Sequence, residues 1–115
     1  MKFSALIAVL PEDLEERAID AAKAAGAGGV TLLNGRGLGT EEKKSFFGLT
    51  FEGSQSVLLF VLERKLAVTV LKRLNHDLEL SEHSKGVVFT VPLEHIAGID
   101  TRQLEQFESR LKDKI

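Results

Sequence analysis

Two nearly unbroken apolar runs constrain this chain more than any other feature: Phe3-Ser4-Ala5-Leu6-Ile7-Ala8-Val9-Leu10 and Ser56-Val57-Leu58-Leu59-Phe60-Val61-Leu62. Neither approaches the roughly 20 residues of a membrane-spanning helix. Continuous apolar runs of this length suit central strands covered on both faces, where a strand with one wet face would alternate. A chain of 115 residues has room for one hydrophobic core and hence one domain. The first run could be mistaken for a secretory leader. It is followed by Pro11-Glu12-Asp13-Leu14, a helix start, where a leader would carry small residues for cleavage.

The segments between the runs supply the other elements. Pro11 is placed as a first helical residue, with Glu12 and Asp13 in the first turn where the helix dipole favours negative charge. Leu14, Ala18, Ala21, Ala22 and Ala25 then recur at helical spacing, and Gly26 supplies the stop. The alanine-rich stripe implies a helix lying close to a sheet. Residues 30–33 form a second strand, leading into Asn34-Gly35-Arg36-Gly37-Leu38-Gly39. Residues 40–54 read as a long loop with extended pieces at 46–47 and 49–51, and loops of that length are usually functional or disordered. A second helix follows over 63–74, with Leu66, Ala67, Val70, Leu71 and Leu74 on one stripe, although Val68-Thr69-Val70 has strand propensity. After a polar turn at 82–86, residues 87–91 form the fourth strand, closed by Pro92. Asp100 and Gln103 form a capping box for a C-terminal helix over 100–115, with Leu104, Phe107 and Leu111 on one face.

The resulting order, β-α-β-β-α-β plus a terminal helix, is an α+β, ferredoxin-like sandwich with its core at 1–99. That fold hosts small enzymes, RNA-binding modules, metal carriers and small-molecule sensors, so function has to be sought in the loops.

Composition excludes several classes. Fifteen basic and 17 acidic residues leave a net charge of −2, which does not suggest a nucleic-acid-binding protein. The absence of cysteine removes disulfides, thiolate zinc sites and a cysteine nucleophile, and is compatible with a cytoplasmic protein. His76, His83 and His95 lie on different elements with no accompanying carboxylate cluster, so they read as surface histidines and no metal is expected. No Ser-His-Asp arrangement can be argued from spacing. Arg36 beside Asn34 is a weak match to the anion site of an acylphosphatase, and the expectation is a binding protein, not an enzyme.

The glycines at 35, 37 and 39 are neither a P-loop nor a dinucleotide fingerprint. They allow two readings: a turn whose bare amides approach an anion, or a sharp exit from a strand. Phe46 and Phe47 likewise either cover an apolar edge or contact a partner.

Gly29-Val30-Thr31-Leu32-Leu33-Asn34-Gly35-Arg36-Gly37-Leu38-Gly39 resembles the strand-to-T-loop junction of the P-II family of signalling proteins. Lys43-Lys44-Ser45-Phe46-Phe47-Gly48-Leu49-Thr50 is similar to the loop of a P-II-like subgroup. The resemblance implies a homotrimer with a ligand cleft between subunits. It would place Gly37, Leu38 and Gly39 at the T-loop base and Lys85, Gly86 and Val87 in the B-loop. The T-loop, carrying Lys43, Lys44, Phe46 and Phe47, would dock on a membrane transporter or an enzyme, without direct membrane insertion.

Departures from the family pattern narrow the ligand. Thr40 and Glu41 stand where the family has arginine and a magnesium-binding glutamine. An apolar residue near Ala8 replaces its first-strand lysine, and His95-Ile96-Ala97-Gly98 does not match its late arginines. These departures leave open a mono- or diphosphate, another small anion or no nucleotide at all, and any nucleotide bound is expected to be ADP or AMP over ATP. The chain also has no tyrosine for T-loop nucleotidylation. A competing class is the amino-acid-binding ACT domain, which has the same topology. It places its ligand at a glycine turn after the first strand, and here that turn is Leu10-Pro11-Glu12.

Overall fold

The computed structural model describes residues 1–36, 45–46, 49–50, 54–83 and 86–99. Strand β1 spans Phe3–Pro11 and is followed by a single 3-10 turn, Glu12–Leu14, and helix α1, Glu15–Ala24. Next come β2 (Thr31–Arg36), two short strands β3 (Ser45–Phe46) and β4 (Leu49–Thr50), and β5 (Ser54–Glu63). Helix α2 (Arg64–Asp77), the one-turn helix α3 (Leu80–His83) and β6 (Val87–Pro92) complete the described elements. The main sheet is antiparallel in the order β2-β5-β1-β6, the ferredoxin-like arrangement, while β3 and β4 pair with each other.

The helices cover one face of the sheet. Leu6, Ala8 and Leu10 of β1, and Leu58, Phe60 and Leu62 of β5, are buried against Leu14, Ala18, Ala21 and Ala22 on one side and Ala67, Val70 and Leu74 on the other. Each fully buried leucine contributes about 1.5–3 kcal/mol. Alanines along α1 let it pack against α2 at short range. Two backbone bonds end α1, Gly26 N–H to the Lys23 carbonyl at 3.0 Å and Ala27 N–H to the Ala22 carbonyl at 2.9 Å. With Gly26 at φ 115° they form a Schellman motif, as its position in the sequence implies. The Glu63 carboxylate caps α2 by accepting from the Leu66 N–H at 2.9 Å.

Among the described residues no helix lies on the other face of the sheet. In register across it, Ile7 pairs with Leu59 and Phe89, Val9 with Val57 and Val87, Ala5 with Val61 and Val91, and Leu33 with Val57. Phe89 and Val91 are 42% and 43% exposed, Val61 46% and Leu33 52%.

Four elements differ from the sequence reading. Strand β2 continues through Asn34, Gly35 and Arg36, because Ser56, Gln55 and Ser54 of β5 are there to pair with them. Pro11 is the last residue of β1 and the N-cap, with ψ 146°, and so not the first helical residue. Helix α2 reaches Asp77 because Ala67, Val70 and Leu74 seat it on the core, which outweighs the strand propensity of Val68-Thr69-Val70. The polar turn contains the helical turn α3, anchored by buried Leu80 and by Asn75 Oδ1, which accepts from Ser81 N–H at 3.0 Å and Ser81 Oγ at 2.9 Å. The C-terminal helix expected over 100–115 lies outside the described residues.

Candidate functional site

The antiparallel order brings four chain ends to one end of the sheet: the end of β2 at Arg36, the start of β5 at Ser54, the end of β1 at Pro11 and the start of β6 at Val87. The segments singled out as T-loop base and B-loop therefore leave the sheet at the same end. They leave from the two outermost strands, three strand spacings or about 14 Å apart.

Gly86 is the best-defined residue there. A Cβ on it would lie 2.6 Å from Leu10 Cδ2, 2.7 Å from the Val9 carbonyl oxygen and 3.4 Å from Leu10 Cα. Glycine is required because the main chain passes directly over the end of β1. Val87, half-buried, opens β6 opposite Val9 on the uncovered face. Gly35 lies within β2, where a Cβ would meet only Val57 Cγ2 at 3.8 Å, an ordinary contact. Arg36 is exposed at the strand end. Gln55, opposite Gly35 and Pro11, is buried at 3% exposure and places a side-chain amide at this end of the sheet. Behind it on the helix side, fully buried Ser56 donates from Oγ to Glu15 Oε1 at 2.9 Å, tying β5 to the start of α1.

Gly37, Leu38, Gly39, Lys43, Lys44, Phe47 and Lys85 lie outside the described residues, and Phe46 is placed only as a member of β3. Strands β3 and β4 fall where extended pieces of the long loop were expected, with Ser45 opposite Thr50 and Phe46 opposite Leu49.

One polar cluster went unseen in the sequence. His83 Nε2 lies 3.1 Å from Glu79 Oε2, and Glu82 completes an exposed group of three. The expectation that no carboxylates accompany the histidines fails here because α3 was not foreseen, and its helical turn brings positions 79 and 83 together. Elsewhere, Asp77 Oδ1 lies 3.0 Å from His76 Nδ1, and Asp77 Oδ2 accepts from Arg73 Nε at 2.8 Å. These bonds, His76 first, hold the Asp77 carboxyl below its ordinary range. Among the described residues no helix is long and apolar enough to cross a membrane.

A four-stranded antiparallel sheet in this order, with helices on one face and two loop bases at one end, defines a small ferredoxin-like α+β domain. Residues 3–103 match the family described as nitrogen regulatory protein P-II, and the chain belongs to that family of signalling proteins. No curated protein matches it. Among solved structures it is similar to a PII-like signalling protein from Thermus thermophilus, with 22% identity and a TM-score of 0.62 over 81% of this chain and 87% of that one. It is also similar to CPII from Thiomonas intermedia bound to ADP and bicarbonate, with 19% identity and a TM-score of 0.61 over 81% and 87% of the two chains. Arabidopsis thaliana PII bound to citrate gives 18% identity and a TM-score of 0.65 over 85% of this chain and 83% of that one.

Proposed function

We propose that this protein is a homotrimeric, non-enzymatic sensor that binds ADP or AMP at the T-loop end of the sheet and regulates a transporter or enzyme through the loop carrying Lys43, Lys44, Phe46 and Phe47. The observation that carries the reading is the gathering of Arg36, Gln55, Gly86 and Val87 at one sheet end, bordered by an apolar face that no helix among the described residues covers. Apolar residues at successive open-face positions suit burial against further copies of the chain. Gly37, Leu38, Gly39, Lys85, Gly86 and Val87 are the proposed contacts. Bare amides donate to phosphate oxygens, and Lys85 supplies a point charge.

The ADP and bicarbonate of the Thiomonas relative and the citrate of the Arabidopsis relative make small anions the natural ligand class. One lysine favours a mono- or diphosphate over ATP. Titration calorimetry with AMP, ADP and ATP, alongside light scattering, tests this. The expected result is a trimer with ADP or AMP above ATP. Lys85→Ala should weaken binding by roughly ten- to a hundredfold, the loss of one charge-assisted hydrogen bond. Tight ATP binding, unchanged affinity in Lys85→Ala, or a stable monomer would refute it.

A further inference from the structure

Charge is divided unevenly between the two helices that cover the sheet. Helix α2 carries Arg64, Lys65, Lys72 and Arg73 against Asp77 alone. The 3-10 turn and α1, packed beside it, expose Glu12, Asp13, Glu16 and Asp20 against Arg17 and Lys23. The whole chain has a net charge of −2, so the basic character of α2 comes from placement and not from composition. The helical period decides which of its side chains share a face. Ala67, Val70 and Leu74 are buried in the core. On the opposite side Lys65, Val68, Thr69, Lys72 and His76 form one exposed stripe. From Lys65 to His76 it runs about 17 Å, three helical turns. Arg73 stands at its edge, where Nε donates to Asp77 Oδ2 at 2.8 Å. Beyond that edge a groove of about 390 Å³ lies between α1 and α2, lined by Arg17 and Arg73 together with Ala21, Ala24 and Leu78.

We propose that this stripe and groove dock a short acidic segment of a partner protein, one with an aliphatic side chain among its carboxylates. Charge complementarity argues for it. Lys65 and Lys72 lie two turns apart and His76 one turn further, so carboxylates recurring every one or two turns of a partner helix meet them in register. Arg17 and Arg73 offer guanidinium forks to a carboxylate entering the groove. Val68, in the middle of the stripe, is 43% exposed and has apolar surface to lose from water beneath an aliphatic side chain. The narrowness of the stripe favours a peptide over a larger polyanion. A nucleic acid or an anionic bilayer extends past one helix and would also meet Glu12, Asp13, Glu16 and Asp20 on the neighbouring element. This surface lies on the helix-bearing side of the sheet, and the proposal does not depend on the nucleotide reading.

The test uses the full-length protein and a fluorescein-labelled helical peptide of three Glu-Glu-Leu-Ala repeats, titrated by fluorescence anisotropy. A counterpart with glutamine in place of glutamate, a DNA duplex and phosphatidylserine vesicles are titrated alongside. Saturable binding of the acidic peptide is expected at low ionic strength, weakening as salt is raised because the pairs stay partly exposed. The double variant Lys65→Gln/Lys72→Gln should weaken it by roughly three- to thirtyfold, the range for two exposed ion pairs. Val68→Asn is a second, charge-neutral variant and should also weaken it, while Lys23→Gln on α1 should leave it unchanged. Thermal unfolding checks that the variants are folded. ADP titration of the double variant should match wild type whatever that affinity is, which separates this surface from the nucleotide site. The proposal is overturned by equal affinity for the glutamine peptide, by no saturable binding of the acidic one, or by unchanged affinity in both the double variant and Val68→Asn. Tighter binding of DNA or vesicles through Lys65 and Lys72 would assign the surface to those polyanions instead. Association of the protein with itself that the double variant abolishes would assign it to a second copy, and either result would equally overturn the proposal.

Discussion

Replacing Gly86 by alanine adds one methyl group to the tightest main-chain contact described at the proposed site. That methyl would start 2.6 Å from Leu10 Cδ2 and 2.7 Å from the Val9 carbonyl oxygen. The Leu10 side chain cannot swing aside into water, because Leu10 is completely buried in the core. The carbonyl belongs to β1, which is paired on both sides, so moving it disturbs β5 and β6 together. The start of β6 must therefore lift from β1 by several tenths of an ångström. Overpacking of this kind costs about 1–3 kcal/mol. With a urea m-value of about 1–3 kcal/mol/M for a small protein, the midpoint should fall by about 1 M with the slope unchanged. Protomer concentration must be held fixed, since assembly shifts apparent stability. Gly29→Ala is the control. A Cβ there meets nothing within 4 Å and the backbone is not left-handed, so its effect should be neutral or stabilising by up to about 1 kcal/mol. Hydrogen exchange should localise the Gly86→Ala damage to residues 86–88 and the end of β1. Matching midpoints for Gly86→Ala and Gly29→Ala would refute the steric argument, and with it the claim that the main chain at Gly86 is held against the end of β1.

Glu63→Ala removes the carboxylate that accepts from Leu66 N–H and should cost about 0.5–2 kcal/mol in urea unfolding, with an equal midpoint refuting a capping role. The Asp77 carboxyl is held low by His76 and Arg73, so its folded-state contribution is present above the unfolded carboxylate value of about 4 and lost as pH falls through the lowered one. The stability deficit of Asp77→Asn should therefore be full at pH 6 and shrink below about pH 4, whereas a deficit independent of pH would sink that account. Phe89→Glu places a charge on the open face at a residue already 42% exposed. Circular dichroism should show an intact fold while light scattering shows loss of assembly, and an intact oligomer would mean the open face is not the contact.

The helix-bearing half of the fold was legible because it obeys two simple periods. The Leu14-Ala18-Ala21-Ala22-Ala25 stripe is buried as spaced, and Gly26 ends the helix with the two bonds its position implies. What failed locally was decided by partners. Asn34 and Gly35 look like turn residues, yet β5 runs alongside them and they pair with Ser56 and Gln55. The site was readable only as loop bases, since sequence spacing says nothing of how close Gly86 passes to Val9 and Leu10. The same holds at the other end of the sheet, where Lys2 and Arg64, and Phe3 and Leu93, are far apart in the chain and meet through the backbone bonds that join them.

The central strands nevertheless specify more than one protomer's helices satisfy. An antiparallel sheet with helices on one side and water on the other usually alternates apolar and polar residues along each strand. Here β1 is apolar at Ala5, Ile7 and Val9, and β5 at Val57, Leu59 and Val61, all on the side away from the helices. The flanking strands continue the pattern with Leu33, Val87, Phe89 and Val91. Single exposed apolar residues need no explanation, but a contiguous set across four strands does. The face is also continuous with the proposed ligand site, because Val87 follows Gly86 directly and pairs with Val9. A copy of the chain seated on this face would border the loop base at Gly86. Assembly and ligand binding at that end of the sheet would then be thermodynamically linked, each raising the apparent affinity of the other.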